Sequence, residues 1–440
     1  MKNDQKPAVV PRELLVPFLL ITSLFALWGF ANDITNPMVA AFKRILELNN
    51  TQASWVQAAF YGGYFTMALP AAYVVKKFSY KVGILVGLGL YAVGALMFYP
   101  AAAMENYVFF LLALYVLTFG LAFLETTANP YILAMGDEET ATLRLNLAQA
   151  FNPLGALSGL FVAQFFILGA LQSDDVSEDG SYIYNTLSES AKAAVKTSDL
   201  MVIRNPYVGL GLFVIFMFVI IAIVKMPEGK KENQVVGLGE SIKRIFKKER
   251  FVGGMITQMF YVGAQIMCWT YIYQYAENIG INNTDAVNYA YAALLIFLLS
   301  RFLCTYLLKF INSGKLLMIL SITAVGFCAG TIFIQGEVGL YSLVMVSFCM
   351  SLMFPTIYGI ALTGLGDDAK SASAFLVMAI VGGAFMPMLQ GLILDIGGSG
   401  YSDVVILGVP EVNFSFILPM LCFFVVAFYG HRAYKKYGLE

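Results

Sequence analysis

Tyr107-Val108-Phe109-Phe110-Leu111-Leu112-Ala113-Leu114-Tyr115-Val116-Leu117-Thr118-Phe119-Gly120-Leu121-Ala122-Phe123-Leu124 runs directly into Glu125-Thr126-Thr127-Ala128-Asn129-Pro130-Tyr131-Ile132-Leu133. The first part is apolar over nearly the length a membrane-crossing helix needs, about 20 residues. The second part sets a carboxylate in the same segment, with no other Asp, Glu, Lys, Arg or His between Glu105 and Asp137. In hydrocarbon such a group costs roughly 2.5–3.5 kcal/mol on insertion scales. A chain keeps it where it faces a cavity and moves a proton, couples an ion or binds a ligand. The other role that fits is a carboxylate paired with a buried donor to lock helix packing.

The rest of the chain repeats the apolar pattern. The 440 residues are 59% apolar and 12% charged, with a mean hydropathy of +0.74. Soluble domains carry about 25% charged residues, so this is a polytopic membrane protein. Twelve spans are expected, at about 15–42, 53–75, 82–103, 107–135, 142–171, 205–226, 251–278, 286–311, 316–334, 338–364, 371–396 and 413–433. Alternating strands of about 10 residues are missing, which favours helices over a barrel. The fold class is therefore all-α membrane protein with twelve transmembrane helices. The polar stretch Pro227 to Arg250 divides it into a half at 1–226, a cytoplasmic linker at 227–250 and a second half at 251–440.

An internal repeat supports two pseudo-symmetric six-helix halves. Met135-Gly136-Asp137-Glu138 closes span four, and Leu365-Gly366-Asp367-Asp368 closes span ten. Parallel six-helix repeats with a midplane site are the architecture of major facilitator transporters. In the linker, Ile242, Ile245, Phe246 and Phe251 are interleaved with Lys243, Arg244, Lys247 and Lys248. An amphipathic helix on an anionic leaflet and a solvated basic linker both fit that pattern. The outer loop Gln172 to Arg204 starts acidic and holds a short helical patch, Leu187 to Val195.

Basic residues set the orientation. With twelve spans the termini share a side, and only Lys43, Arg44, Lys192, Lys196 and Arg204 of the 27 basic residues fall opposite. Both termini are then cytoplasmic, in a bacterial-type inner membrane. Met1 to Pro11 lacks the apolar stretch of a signal peptide, so span one is expected to act as an uncleaved anchor. The net charge of −1 gives no reason to expect nucleic acid as a partner. The partner expected from these features is the bilayer, with the chain acting as a monomer.

Cys268, Cys304, Cys328, Cys349 and Cys422 lie in or beside apolar spans and read as small core side chains. With His431 as the one histidine, neither a His cluster nor a Ser-His triad can be assembled. No metal, no cofactor and no enzymatic activity are expected, since no nucleophile–base set is present.

The polar residues concentrate instead in a few spans. Asn32, Asp33 and Asn36 follow Trp28-Gly29-Phe30 in span one. Gln57, Tyr61 and Tyr64 lie in span two, and Glu125 and Asn129 in span four. In span five, Asn146, Gln149 and Asn152 recur every third residue, which places them on one broad helix face. Span seven carries a stripe of Gln258, Tyr261, Gln265, Trp269 and Tyr273, and span eleven holds Gln390 after Pro387. Arg301 in span eight either snorkels or pairs with an acid in a cytoplasmic gate. Amides both donate and accept, which suits sugar hydroxyls, and aromatic rings offer flat faces to a sugar ring. In low dielectric a carboxyl favours its neutral form, so Glu125 and Asp33 are candidates to load and release a proton. The amides of span five fit equally well as interhelical bonds.

Leu124-Glu125-Thr126-Thr127-Ala128-Asn129-Pro130, Arg144-Leu145-Asn146-Leu147-Ala148-Gln149-Ala150-Phe151-Asn152 and Gly263-Ala264-Gln265-Ile266-Met267-Cys268-Trp269 together resemble the fucose–proton symporter family of the major facilitator superfamily. Gln57 to Phe65 and Phe354-Pro355-Thr356 fit as well. The resemblance covers nearly the whole chain. It implies alternating access and proton-driven import of L-fucose or a related hexose. It also implies a proton-coupling and sugar-site role for Glu125 and a sugar contact for Gln149. One departure stands out: the acid the family places at position 36 is Asn36 here, and Asp33 lies one turn earlier. Glucose, galactose and N-acetylglucosamine transporters share the family, so these sugars and a sodium-coupled variant remain alternatives. A non-transporting membrane sugar sensor is the alternative from another class.

Overall fold

The structure is a computed structural model that describes residues 8–35, 38–48, 50–175, 177, 183–227, 238–281, 283–394, 396 and 404–436. Twelve helical segments in it are long and apolar enough to cross a membrane. They agree in order with the twelve expected from hydropathy. Their ends differ where polarity and helicity part company. Span six extends back to Glu189 and reaches Ile223 as one helix. Ser188 caps its start, accepting from the Ala191 amide. Its first turns are polar but helix-compatible, so hydropathy alone places the start too late. The patch expected at Leu187 to Val195 is the head of this helix. Among the described residues of span one, Leu15–Thr35 and Met38–Ile45 are helical. Span twelve starts at Glu411 rather than 413.

Several spans are interrupted. Span five comprises helices Ala141–Gln149 and Asn152–Val162, then a π-helical turn at Ala163–Ile167. Span seven divides into Glu249–Thr270 and Ile272–Asn278. Span ten divides into Glu337–Met350 and Met353–Leu362, with Pro355 in the first turn of the second piece. Pro and irregular turns are tolerated in membrane helices where neighbouring helices and side chains satisfy the freed backbone groups.

Packing groups the described residues into two compact units. One draws on 14–128 and 151–235, and the other on 1–13, 129–150 and 236–440. In the first, spans one and five approach at backbone distance. A methyl group at Gly155 would lie 1.8 Å from the Ala26 carbonyl oxygen, and one at Gly29 2.1 Å from that of Asn152. Gly155-Ala156-Leu157-Ser158-Gly159 is a small-xxx-small surface, the kind that lets membrane helices touch without a hydrophobic driving force. Spans three and four meet similarly, with Leu124 and Thr127 against Gly87 and Gly83.

In the second unit the core runs through spans seven to twelve, and all five cysteines are buried and free. The helix Leu238–Ile245 of the linker docks on protein. Arg244 donates to both carboxylate oxygens of Asp368, at 2.9 and 2.7 Å, and Ser241 donates to Asp368 at 2.6 Å. Ile245 is buried, and Phe246 meets the Phe375 ring edge-on. The linker helix is thus held on protein through Ser241, Arg244 and Ile245, while Phe246 stays 42% exposed.

Candidate functional site

Glu125 is 1% exposed, one residue from Leu124 and two from Thr127 on a helix whose neighbouring face is taken up by span three. It acts electrostatically on the hydroxyl of Tyr64 in span two. Asp33 acts likewise on Tyr61, one turn from Tyr64. The first unit therefore strings two carboxyls and two phenols through spans one, two and four. Asn32 Oδ1, on the same turn as Asp33, is buried and accepts no hydrogen bond among the described residues. Asn36 and the side chain of Gln57 lie outside the described residues. Trp28 is stacked on Phe25 at 5.7 Å.

The three amides of span five have different partners. Gln149 Nε2 donates to Asn129 Oδ1 at 2.7 Å. Asn146 Nδ2 donates to the Thr142 carbonyl at 2.9 Å and to Thr356 Oγ1 at 3.2 Å. Asn152 Nδ2 donates to the Phe25 carbonyl of span one at 3.2 Å. The even spacing in sequence is interrupted by the break at Ala150 and Phe151. Asn152 ties two helices together, the packing role left open for it, and Asn146 ties span five to span ten.

In the second unit, Gln258 is fully buried and neither of its amide atoms finds a partner among the described residues. Tyr261, one turn on, donates to the Met350 carbonyl. Trp269 donates to Ser347 Oγ at 3.1 Å and packs edge-on against Phe297 at 5.1 Å. Gln265 is half-buried between them on the same helix. Arg301 is 3% exposed and does not snorkel. Its Nη1 donates to the Gln149 carbonyl at 3.0 Å, its guanidinium lies 4.7 Å from the Phe297 ring centre, and its Nε is buried without an acceptor among the described residues.

Sequence reasoning missed two features. Arg144 reads in sequence as a cytoplasmic-side charge that opens the span-five motif, but it is buried and saturated. Its nitrogens donate to the carbonyls of Ile132, Leu133, Asp137 and Val9 and to Thr140 Oγ1. It satisfies the open carbonyls at the end of span four, which a helix terminus otherwise leaves unpaired. The other is Glu411, treated below. Among the described residues no group of three His, Cys, Asp or Glu side chains is placed to hold a metal ion.

A family model described as Major Facilitator Superfamily matches residues 19–387. The chain is 53% identical to an L-fucose–proton symporter of Haemophilus influenzae, over 97% of its own length and 98% of that protein's. The chain belongs to the fucose–proton symporter family of the major facilitator superfamily. It is also similar to a glucose/galactose transporter of Brucella abortus, 31% identical over 93% of this chain and 92% of that one. A crystal structure of the Escherichia coli fucose:proton symporter superposes with a TM-score of 0.85 at 32% identity. The match covers 96% of this chain and 99% of that one. The major facilitator fold of twelve helices is therefore this chain's fold.

Proposed function

We propose that this protein is a secondary active transporter that imports L-fucose or a related hexose together with a proton, by alternating access. The observation that carries the reading is the buried Glu125 within the family's span-four signature, in a chain 53% identical end to end to an L-fucose–proton symporter. Both termini and the 227–250 linker face the cytoplasm of a bacterial-type inner membrane, and the halves 1–226 and 251–440 are the moving parts. In this reading Glu125 carries the proton. Protonated, it is a neutral donor for a sugar oxygen. Deprotonated, it is a buried charge that the cavity must rehydrate or refill. Asp33, coupled to Tyr61, is the second proton site and serves in place of the acid that Asn36 lacks.

Sugar hydroxyls are bound by groups able to exchange partners. Gln149 and Asn129 trade their mutual hydrogen bond for sugar contacts. Asn32 and Gln258, which have unused capacity, need no such exchange. Asn146, Gln265 and Trp269 complete the wall, with Asn36, Gln57 and Tyr61 in the first half. Asn152 contributes by holding span five on span one. The likeness to a glucose/galactose transporter supports a second reading of the sugar alone, with the same machinery.

Purified protein in liposomes, offered a panel of hexoses with pH and sodium gradients varied separately, tests the reading. L-fucose accumulation driven by the pH gradient is expected. Glu125→Gln is expected to abolish accumulation and to leave sugar counterflow in place. Full accumulation by that variant would overturn the assignment of Glu125, and accumulation of none of the hexoses by wild type would overturn the function.

A further inference from the structure

Glu411, Asn413 and Ser415 follow the short hairpin Val405–Ile406/Val409–Pro410 and open span twelve. With Gln390 of span eleven they form a polar cluster in which no member is more than 2% exposed. Glu411 and Ser415 are four apart on one helical turn and so are neighbours on one face, about 5–6 Å between Cβ atoms. Gln390 Nε2 donates to Ser415 Oγ at 2.9 Å, which brings its amide onto that face.

The side-chain hydrogens of Ser415, Asn413 and Tyr275 are already spent, and so is one of the two on Gln390 Nε2. Ser415 donates to the Val412 carbonyl. Asn413 donates to Tyr275 and to the Thr331 carbonyl. Tyr275 donates to the Ile334 carbonyl. Three oxygens are left, both of the Glu411 carboxylate and Gln390 Oε1, and all three are buried with no donor among the described residues. No cation of the protein pairs with Glu411 among the described residues. A buried, acceptor-only set carrying one negative charge is incomplete as it stands.

The chemistry of the set selects its guest. One added proton supplies a single hydrogen for three acceptors. Water supplies hydrogens and no charge. A hard cation takes oxygen ligands of this kind, and one carboxylate with one amide oxygen balances a single positive charge better than two. We propose that Glu411 and Gln390 form a monovalent-cation site at the head of span twelve, for which sodium is the probe. The proposal does not rest on the sugar reading.

The test uses the purified full-length protein without sugar. Thermal unfolding is followed while sodium chloride replaces choline chloride at constant ionic strength and pH, and binding of radioactive sodium is measured in parallel. Wild type is expected to show a saturable rise in Tm with sodium and none with choline, as ligand linkage requires. Glu411→Gln is expected to remove the rise. Gln390→Leu, which keeps the charge and removes one ligand, is expected to weaken sodium binding on the order of tenfold, about 1.4 kcal/mol. If Glu411→Gln does not yield folded protein, Gln390→Leu and the wild-type binding assay still decide. Coincident sodium and choline curves in wild type would overturn the proposal. So would an undiminished sodium response in both variants, or a response that follows pH alone.

Discussion

Arg144 and Arg301 are both buried, 0% and 3% exposed, in apolar helical surroundings, and the protein treats them in opposite ways. Arg144 makes five hydrogen bonds, four of them to carbonyls around the end of span four and the chain ahead of span one. Among the described residues Arg301 makes one, to the Gln149 carbonyl, rests on Phe297 and leaves Nε without an acceptor. A buried charge is costly, and only full pairing offsets the cost. Saturation marks Arg144 as architecture. Arg301 is incompletely satisfied among the described residues, beside a glutamine proposed to meet sugar.

Substitution can break or sharpen that contrast. Arg144→Met strands several helix-end carbonyls and is expected to cost roughly 3–5 kcal/mol, seen as lost folded yield and a lower Tm. A Tm within experimental error of wild type would erase the distinction. Arg301→Gln is expected to fold normally yet slow sugar exchange roughly 10- to 100-fold, the worth of one charge-assisted hydrogen bond of about 1.5–3 kcal/mol. Loss of the folded protein instead would place Arg301 with Arg144. Gln149→Ala keeps its backbone bond to Arg301 and removes only the side chain. It is expected to raise the apparent sugar KM about 5-fold, in line with one neutral hydrogen bond of about 1 kcal/mol. An unaltered KM would mean that the side chain serves Asn129 alone.

The smallest effect belongs to an exposed counterpart. Glu105 accepts from the Thr197 hydroxyl and lies 3.2 Å from Lys196. The Thr197 hydrogen bond first, and Lys196 after it, hold its carboxyl below the usual 4.5. A lowered folded value means that the stabilisation is present above the unfolded value and is lost as pH falls through the folded one. Its side chain is 31% exposed, so screening keeps the contribution small. Glu105→Gln is expected to cost about 0.2–1 kcal/mol at neutral pH. The gap from wild type should close on acidification and narrow with salt. A gap that widens in acid would reverse the assignment.

The twelve spans were legible because hydropathy is a local property of the chain. Their ends were less so. The polar first turns of span six carry no hydropathy signal, and neither does Glu411 at the head of span twelve. The carboxyl at Glu125 and the amides around it were visible as polar residues in apolar runs. Their partners were not, because Asn152 to Phe25 and Asn146 to Thr356 join residues more than a hundred positions apart. Nor does a repeat of three in sequence survive a break in the helix that carries it. Arg144 shows the same limit: sequence registers its charge, and only the fold supplies its acceptors.

The glycine contact between spans one and five has a mechanical consequence. Helices seated backbone to backbone, with Gly155 on Ala26 and Gly159 on Phe30, have no side-chain layer to act as a bearing. They cannot slide by a fraction of a residue without collision, so they travel as a single beam. Asn32 and Asp33 are therefore levered together with Asn152. A stroke that turns span one toward either face of the membrane carries Asn152 to Gly159 of span five through the same arc.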